Sequence, residues 1–396
     1  MSSPATRQSP PEYSSREPSP AYSSVPGPAE QTLLQSHTSR TPPDGVSIKC
    51  VGNITLVLLN QEHGNVEHPT VGRNGQVTGS VLFEHPENVK SVVLTIEGLL
   101  EMLPFPGTYS SFPNGTIINT LYSHHQSTPC PHSFSFAHRF PSVLRYNGNP
   151  RPYPLPPTCN IMLDTSGHFV KCAYWITVTV VSARHRCASF LTKNERVSVE
   201  LNYRPRTRPS QPIILNPSLS DTVKQCPEEW RQCSKLVSDP TDSPLICDLF
   251  APSLGVFCAL DDIPFYLQLS GPGNSFQHMH QFFMRNPAAP HIRVYILREM
   301  EIYTGHRMAK KRRILGEGTL RFMPGSVDDT APCRTLNWEG EARCQDPLSV
   351  VGTFDCGSIV VKDILAVEIS PPKRCPLQRA FFGYTIKLTT QRCGEA

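Results

Sequence analysis

The sequence predicts an all-β protein: two immunoglobulin-like β-sandwich lobes preceded by a disordered N-terminal tail. Runs of alternating apolar and polar residues recur from residue 46 to residue 392, clusters of Gly, Pro, Asn and Ser separate them, and no stretch keeps a helical period over three turns. The expected organisation is a tail over 1–45, a first lobe over 46–204, a Pro-rich linker over 205–225 and a second lobe over 226–392.

The tail comes first. It holds nine prolines and many serines, and its few apolar residues are Val25, Leu33 and Leu34, so burial cannot offset the entropy of ordering it. Within it stands Pro10-Pro11-Glu12-Tyr13. Proline fixes φ and removes backbone donors, so an extended left-handed conformer is populated in advance and loses little entropy on docking to an aromatic groove. Pro-Pro-x-Tyr is the pattern that WW domains bind, the prolines stacking on aromatic rings and the tyrosine filling a second pocket. Pro18-Ser19-Pro20-Ala21-Tyr22 is a degraded copy, with Pro20 and Tyr22 retained. One such peptide binds at roughly micromolar strength, about 8 kcal/mol, so a weak second copy adds through effective concentration.

In the first lobe, Val77, Gly79, Val81 and Phe83 alternate with Thr78 and Ser80, and after the turn His85–Asn88 the positions Val92, Leu94, Ile96 and Gly98 follow as the second arm of a hairpin-like pair. Tyr174, Ile176, Val178 and Val180 oppose Trp175, Thr177 and Thr179. Val197, Val199, Leu201 and Tyr203 oppose Ser198, Glu200 and Asn202. Arg204-Pro-Arg-Thr-Arg-Pro209 then ends the strand and forces an extended connector. In the second lobe, residues 263–269, 292–303, 314–322, 359–369 and 384–388 read as strands, and 221–236 reads as a short helix or a strand entry, with strand entry favoured.

The 396 residues carry a formal net charge of +4, with basic residues spread along the chain, which argues against nucleic acid as a partner. No run of about 18 apolar residues is present, and the first residues lack a secretory segment, so an intracellular chain is expected. The fourteen cysteines are scattered without tight pairing and are expected to be reduced, mostly as small core residues. Asn53-Ile-Thr55 and Asn114-Gly-Thr116 match the glycosylation pattern by chance on that view.

Candidate chemistry is sparse. His124, His125, Cys130 and His132 lack metal-ligand spacing, His278 and His280 have no carboxylate or cysteine beside them, and His185 with Cys187 has no orienting third group. Gly316-Glu-Gly318 alternates on one strand face and reads as close sheet packing rather than a phosphate loop. Neither catalytic residues, nor a metal, nor a cofactor is expected. Lys310-Lys311-Arg312-Arg313, with Arg307, is read as a turn between strands that projects its charges toward anionic lipid headgroups, a phosphorylated cargo tail or an importin.

Taken in order, Val77–Val81, Val92–Gly98, Tyr174–Val180 and Tyr203–Pro209 resemble the amino-terminal domain of fungal arrestin-like proteins. Pro227–Arg231, Ile263–Phe265, Leu315–Leu320, Leu336–Gly340 and Val361–Asp363 extend the resemblance through the second half, so that it covers about residues 46 to 392. The resemblance implies a cytoplasmic adaptor, peripheral to the plasma membrane or endosomes. In that group the lobes bind cytosolic tails of membrane transporters or receptors, while PPxY peptides recruit WW domains of HECT-type ubiquitin ligases. Such peptides usually follow the second lobe there, whereas here Pro10, Pro11 and Tyr13 precede the first. Two other readings compete: a ubiquitin-independent, retromer-like subunit of the same fold, and a secreted disulfide-linked sandwich.

Overall fold

Alternation along each strand determines which side chains can meet, and the computed structural model shows where they do. It describes residues 45–61, 68–124, 129–144, 152–163, 166–183, 192–213, 219–237, 245–272, 292–304, 307–323, 333–347, 350–371 and 378–394. All of these fall in one compact unit.

The first half contains strands β1 (Gly45–Val51), β2 (Ile54–Gln61), β3 (Thr70–Val71), β4 (Gln76–Phe83), β5 (Val89–Leu103), β6 (Ser110–Ser123), β7 (Ser133–Arg139), β8 (Val143–Leu144), β9 (Tyr153–Pro154), β10 (Cys159–Met162), β11 (Phe169–Ala183) and β12 (Thr192–Tyr203). The second contains helix α1 (Leu219–Gln225) and strands β13 (Trp230–Leu236), β14 (Ile246–Pro252), β15 (Val256–Cys258), β16 (Ile263–Pro272), β17 (Ile292–Thr304), β18 (Arg307–Met323), β19 (Cys333–Ala342), β20 (Phe354–Asp355), β21 (Ile359–Ile369) and β22 (Ala380–Thr389). The fold is all-β and sandwich-like, as the alternation predicts.

In the first half, a four-stranded sheet β1-β2-β4-β7 faces a sheet ordered β3-β12-β11-β5-β6, with β10 added on β11. The hairpin expected between residues 77–83 and 92–98 does not form. β4 pairs with β2 and β7, whereas β5 pairs with β6 and β11. The 3₁₀ turn Pro86–Asn88 carries the chain from one sheet to the other, so Val77, Val81 and Phe83 share a core with Val92, Leu94 and Ile96 across the sandwich. Both strands have an apolar face because each closes one side of the same core.

The resemblance motifs have packing reasons. A side chain at Gly98 would collide with the ring of Tyr174 and the Asn114 backbone. Tyr174 is fully buried, donates its hydroxyl to the Pro156 carbonyl at 2.6 Å, and packs edge-on against Phe140 and Tyr203. Asn114 is buried and donates its amide to the Cys172 sulfur at 3.4 Å, which removes it from any surface chemistry.

In the second half one sheet bends round its own core, ordered β13-β14-β16-β19-β18-β17-β21-β22-β15. β18 makes the bend: residues 307–317 pair with β17, and 318–323 pair with β19. A bulge opposite Ile296–Leu297 lies where it turns. A side chain at Gly316 would strike the Arg343 carbonyl, so the expected close packing at this glycine is what the bend uses. The segment 221–236 contains both of its alternatives, helix α1 and then strand β13 after a 3₁₀ turn. Downstream of β12, Thr207 accepts backbone N–H bonds from Thr390 and Gln391 at 3.1 and 3.0 Å, strapping the proline segment to the end of β22.

Two cores result, and β17 and β21 run through both. Ile292, Val294 and Ile296 with Leu365, Val367 and Ile369 belong to the second-half core. Met300 and Ile302 with Ile359 and Val361 belong to the first-half core. Between them, on the same face, sit cross-strand partners Arg298 and Asp363. The guanidinium holds the carboxylate by two bonds, Nε–Oδ1 at 2.8 Å and Nη2–Oδ2 at 2.9 Å, and Thr353 Oγ1 donates to Oδ2 at 2.7 Å. Asp363 is fully buried, so, among the described residues, its compensation for desolvation comes from the Arg298 guanidinium and that hydroxyl.

Two outcomes follow. Arg298→Leu strands a buried carboxylate and should cost about 3–5 kcal/mol in urea denaturation, whereas Arg298→Leu with Asp363→Leu should cost less than the single change. Cys159, Cys172 and Cys247 are buried thiols whose pKa burial raises, to about 12 at Cys159. Alkylation of native protein near neutral pH, mapped by peptide mass, should therefore label exposed Cys50 and spare those three until denaturant is added.

Candidate functional site

Pro10, Pro11, Tyr13, Pro20 and Tyr22 lie outside the described residues, as do His125, His185, Cys187, His278 and His280. The basic run Lys310–Arg313 is described, and its position differs from the expected turn. β18 already begins at Arg307, and Lys310, Lys311, Arg312 and Arg313 pair in register with Glu301, Met300, Glu299 and Arg298 of β17. The sequence reading placed a turn here, between strands ending near Tyr303 and starting at Ile314. The strand accommodates them because β17 places carboxylates opposite, and because Ala309 alone in that stretch is buried in the first-half core.

Alternation divides the run between two faces. On one face, Glu299 is buried between two cations: Lys310 Nζ lies 2.5 Å from its Oε1 and Arg312 Nε lies 2.9 Å from its Oε2. The Arg312 guanidinium also lies over the Phe381 ring, 5.5 Å from its centroid. One step along, Lys362 of β21 reaches Glu301 at 2.9 Å, and Tyr303 donates its hydroxyl to the same carboxylate at 2.9 Å. The other face carries Arg313, cross-strand from Arg298.

Burial pushes the Glu299 carboxyl up, but the hydrogen bonds and charges of Lys310 and Arg312 outweigh it and hold the group below its ordinary value. At Glu301 the Lys362 and Tyr303 hydrogen bonds lower the carboxyl. Lys362 is raised, first by its hydrogen bond to Glu301. The arrangement is a lattice of charge-assisted bonds on a sheet surface; among the described residues there is no group of three or more His, Cys, Asp or Glu placed to hold a metal ion.

Sequence reading missed Arg298, Glu299 and Glu301. Their signal was available: charged residues inside Tyr295-Ile-Leu-Arg-Glu-Met-Glu-Ile-Tyr303, a stretch otherwise apolar on both faces. A cavity of about 430 Å³ lined by Leu260, Asp262, Arg343, Cys344 and Gln345 was likewise unanticipated. Burial raises its Cys344 thiol to about 11, so that sulfur is protonated near neutral pH rather than poised as a nucleophile.

The lowered Glu299 carboxyl contributes stability that is fully present above the ordinary carboxylate value of 4.5 and is lost as pH falls through the lowered one. Glu299→Gln should therefore flatten the fall in melting temperature on acidification below that value, and the difference between variant and wild type should shrink toward the acid end.

No family model matches the chain, and no curated protein matches it. Among solved structures, it is similar to the crystal structure of squid arrestin at 10% identity, with a TM-score of 0.43, over 89% of this chain and 100% of that one.

Proposed function

We propose that this chain is a non-catalytic adaptor of the arrestin type, cytoplasmic and peripheral to the plasma membrane or endosomes. Its tail peptide recruits WW domains of a HECT-type ubiquitin ligase, and its β body binds cytosolic tails of membrane transporters or receptors. The observation that carries this reading is the combination of Pro10-Pro11-Glu12-Tyr13 with a β-sandwich body on whose strands most of the resemblance motifs fall. A docking peptide of roughly micromolar strength suits a transient ligase, not a permanent subunit. The described surface offers sheet faces, edges and a charge lattice, which suit recognition of extended chains. The Lys310–Arg313 strand supplies cationic contacts for a cargo tail or for anionic headgroups at the membrane.

Pull-down of the full chain on immobilised WW domains tests the tail. Wild type should bind, and Tyr13→Ala should lose most of the binding, because the tyrosine pocket is emptied. Equal capture of both forms would remove the ligase arm of the proposal.

A further inference from the structure

Among the described residues, the half of β18 from Arg307 to Ile314 is paired on one side only. β17 covers that side, while β19 covers only Gly318–Met323 on the other. The chain leaving β19 adds one bond, from the Gln345 N–H to the Leu315 carbonyl at 2.9 Å. Among the described residues no strand pairs with this edge before Leu315. Such an edge is a row of backbone donors and acceptors ready for another strand.

Its charge is one-sided. The segments 298–304, 307–314 and 359–364 of the three adjoining strands hold seven cationic side chains and three carboxylates, Glu299, Glu301 and Asp363. Five of the seven cations lie on the open strand. Glu299 already serves both Lys310 and Arg312, and on the opposite face Asp363 is held by Arg298, cross-strand from Arg313. Met308 and Ile314, 50% and 40% exposed, bracket the run with apolar contact area.

We propose that the open edge of β18, from Arg307 to Ile314, receives an acidic extended peptide of a partner protein as an added β-strand. Backbone bonds supply affinity, and the cations select acidic residues at the positions flanking them. The same cations discourage neutral and basic strands, including the edge of a second copy, so one device both blunts the edge and chooses its occupant. A membrane surface fits less well. Successive cations point to opposite faces of the strand, where they flank a chain laid along the edge on both sides, whereas a plane meets one face at a time. This goes beyond the adaptor reading and holds whether or not the tail binds WW domains.

The test uses the full chain and a fluorescein-labelled peptide of alternating Glu and Val long enough to span Arg307–Ile314. Its Lys/Val counterpart, an N-methylated Glu/Val form and phosphatidylserine-containing vesicles serve as the other arms. The Glu/Val peptide should bind by anisotropy and slow amide hydrogen exchange within Arg307–Ile314, while the Lys/Val and N-methylated peptides should not bind. Arg313→Glu with Lys311→Glu should weaken binding at least about ten-fold, and the milder Arg313→Gln should weaken it in the same direction if the double variant fails to fold. Equal binding of the N-methylated peptide, unchanged exchange in the wild type, or capture of vesicles without capture of peptide would overturn the proposal.

Discussion

One buried ion pair governs how the two cores can share their strands. β17 and β21 run from one core into the other, and the point where they cross is where apolar partners run out on their common face. Arg298 and Asp363 occupy that point with two parallel bonds. Removing two charges from water is costly, and the cost is offset only in this geometry. A slip of one residue in either strand would turn a charge toward the apolar interior on the other face. The pair therefore holds register at the place where the hydrophobic pattern alone is least able to do so. Thr353 extends its influence, donating to Asp363 and accepting from the Leu388 N–H at 2.9 Å, which ties β22 to the same seam.

Charge continues outward from this seam in a graded way. Next to the buried pair lies Glu299, buried but reached by two partly exposed cations, and next to that lies a strand segment that carries five cations, Arg307 and Lys310–Arg313. Desolvated charges at the centre are paired strictly because an unpaired one would be intolerable there. Exposed charges at the edge are under no such constraint, since water compensates them.

The sequence was legible wherever a strand had one wet and one dry face. Residues 174–180, 197–203, 263–269 and 359–369 fall on strands as their alternation predicts. Pairing was less legible, as β4 and β5 demonstrate, because two strands joined by a short turn show the same pattern whether they are neighbours in one sheet or face each other across a core. The basic run at 310–313 was misplaced for a related reason. Alternation fails as a guide when the polar side chains of a strand are satisfied by carboxylates on its neighbour, and those carboxylates lie about ten residues away in sequence. Asn114 matched a surface motif but is buried against Cys172, a fact that depends on a strand 58 residues further on.

By itself the sequence determined the all-β class and the positions of most long strands, because these rest on local periodicity and on backbone restrictions that each residue carries with it. Tertiary structure alone decided which sheet each strand joins, that β17 and β21 thread two cores, and that a run of four cations lies on a strand segment paired, among the described residues, along one side. Those outcomes depend on contacts between residues distant along the chain, and on the energy of desolvating charges whose partners no local pattern names.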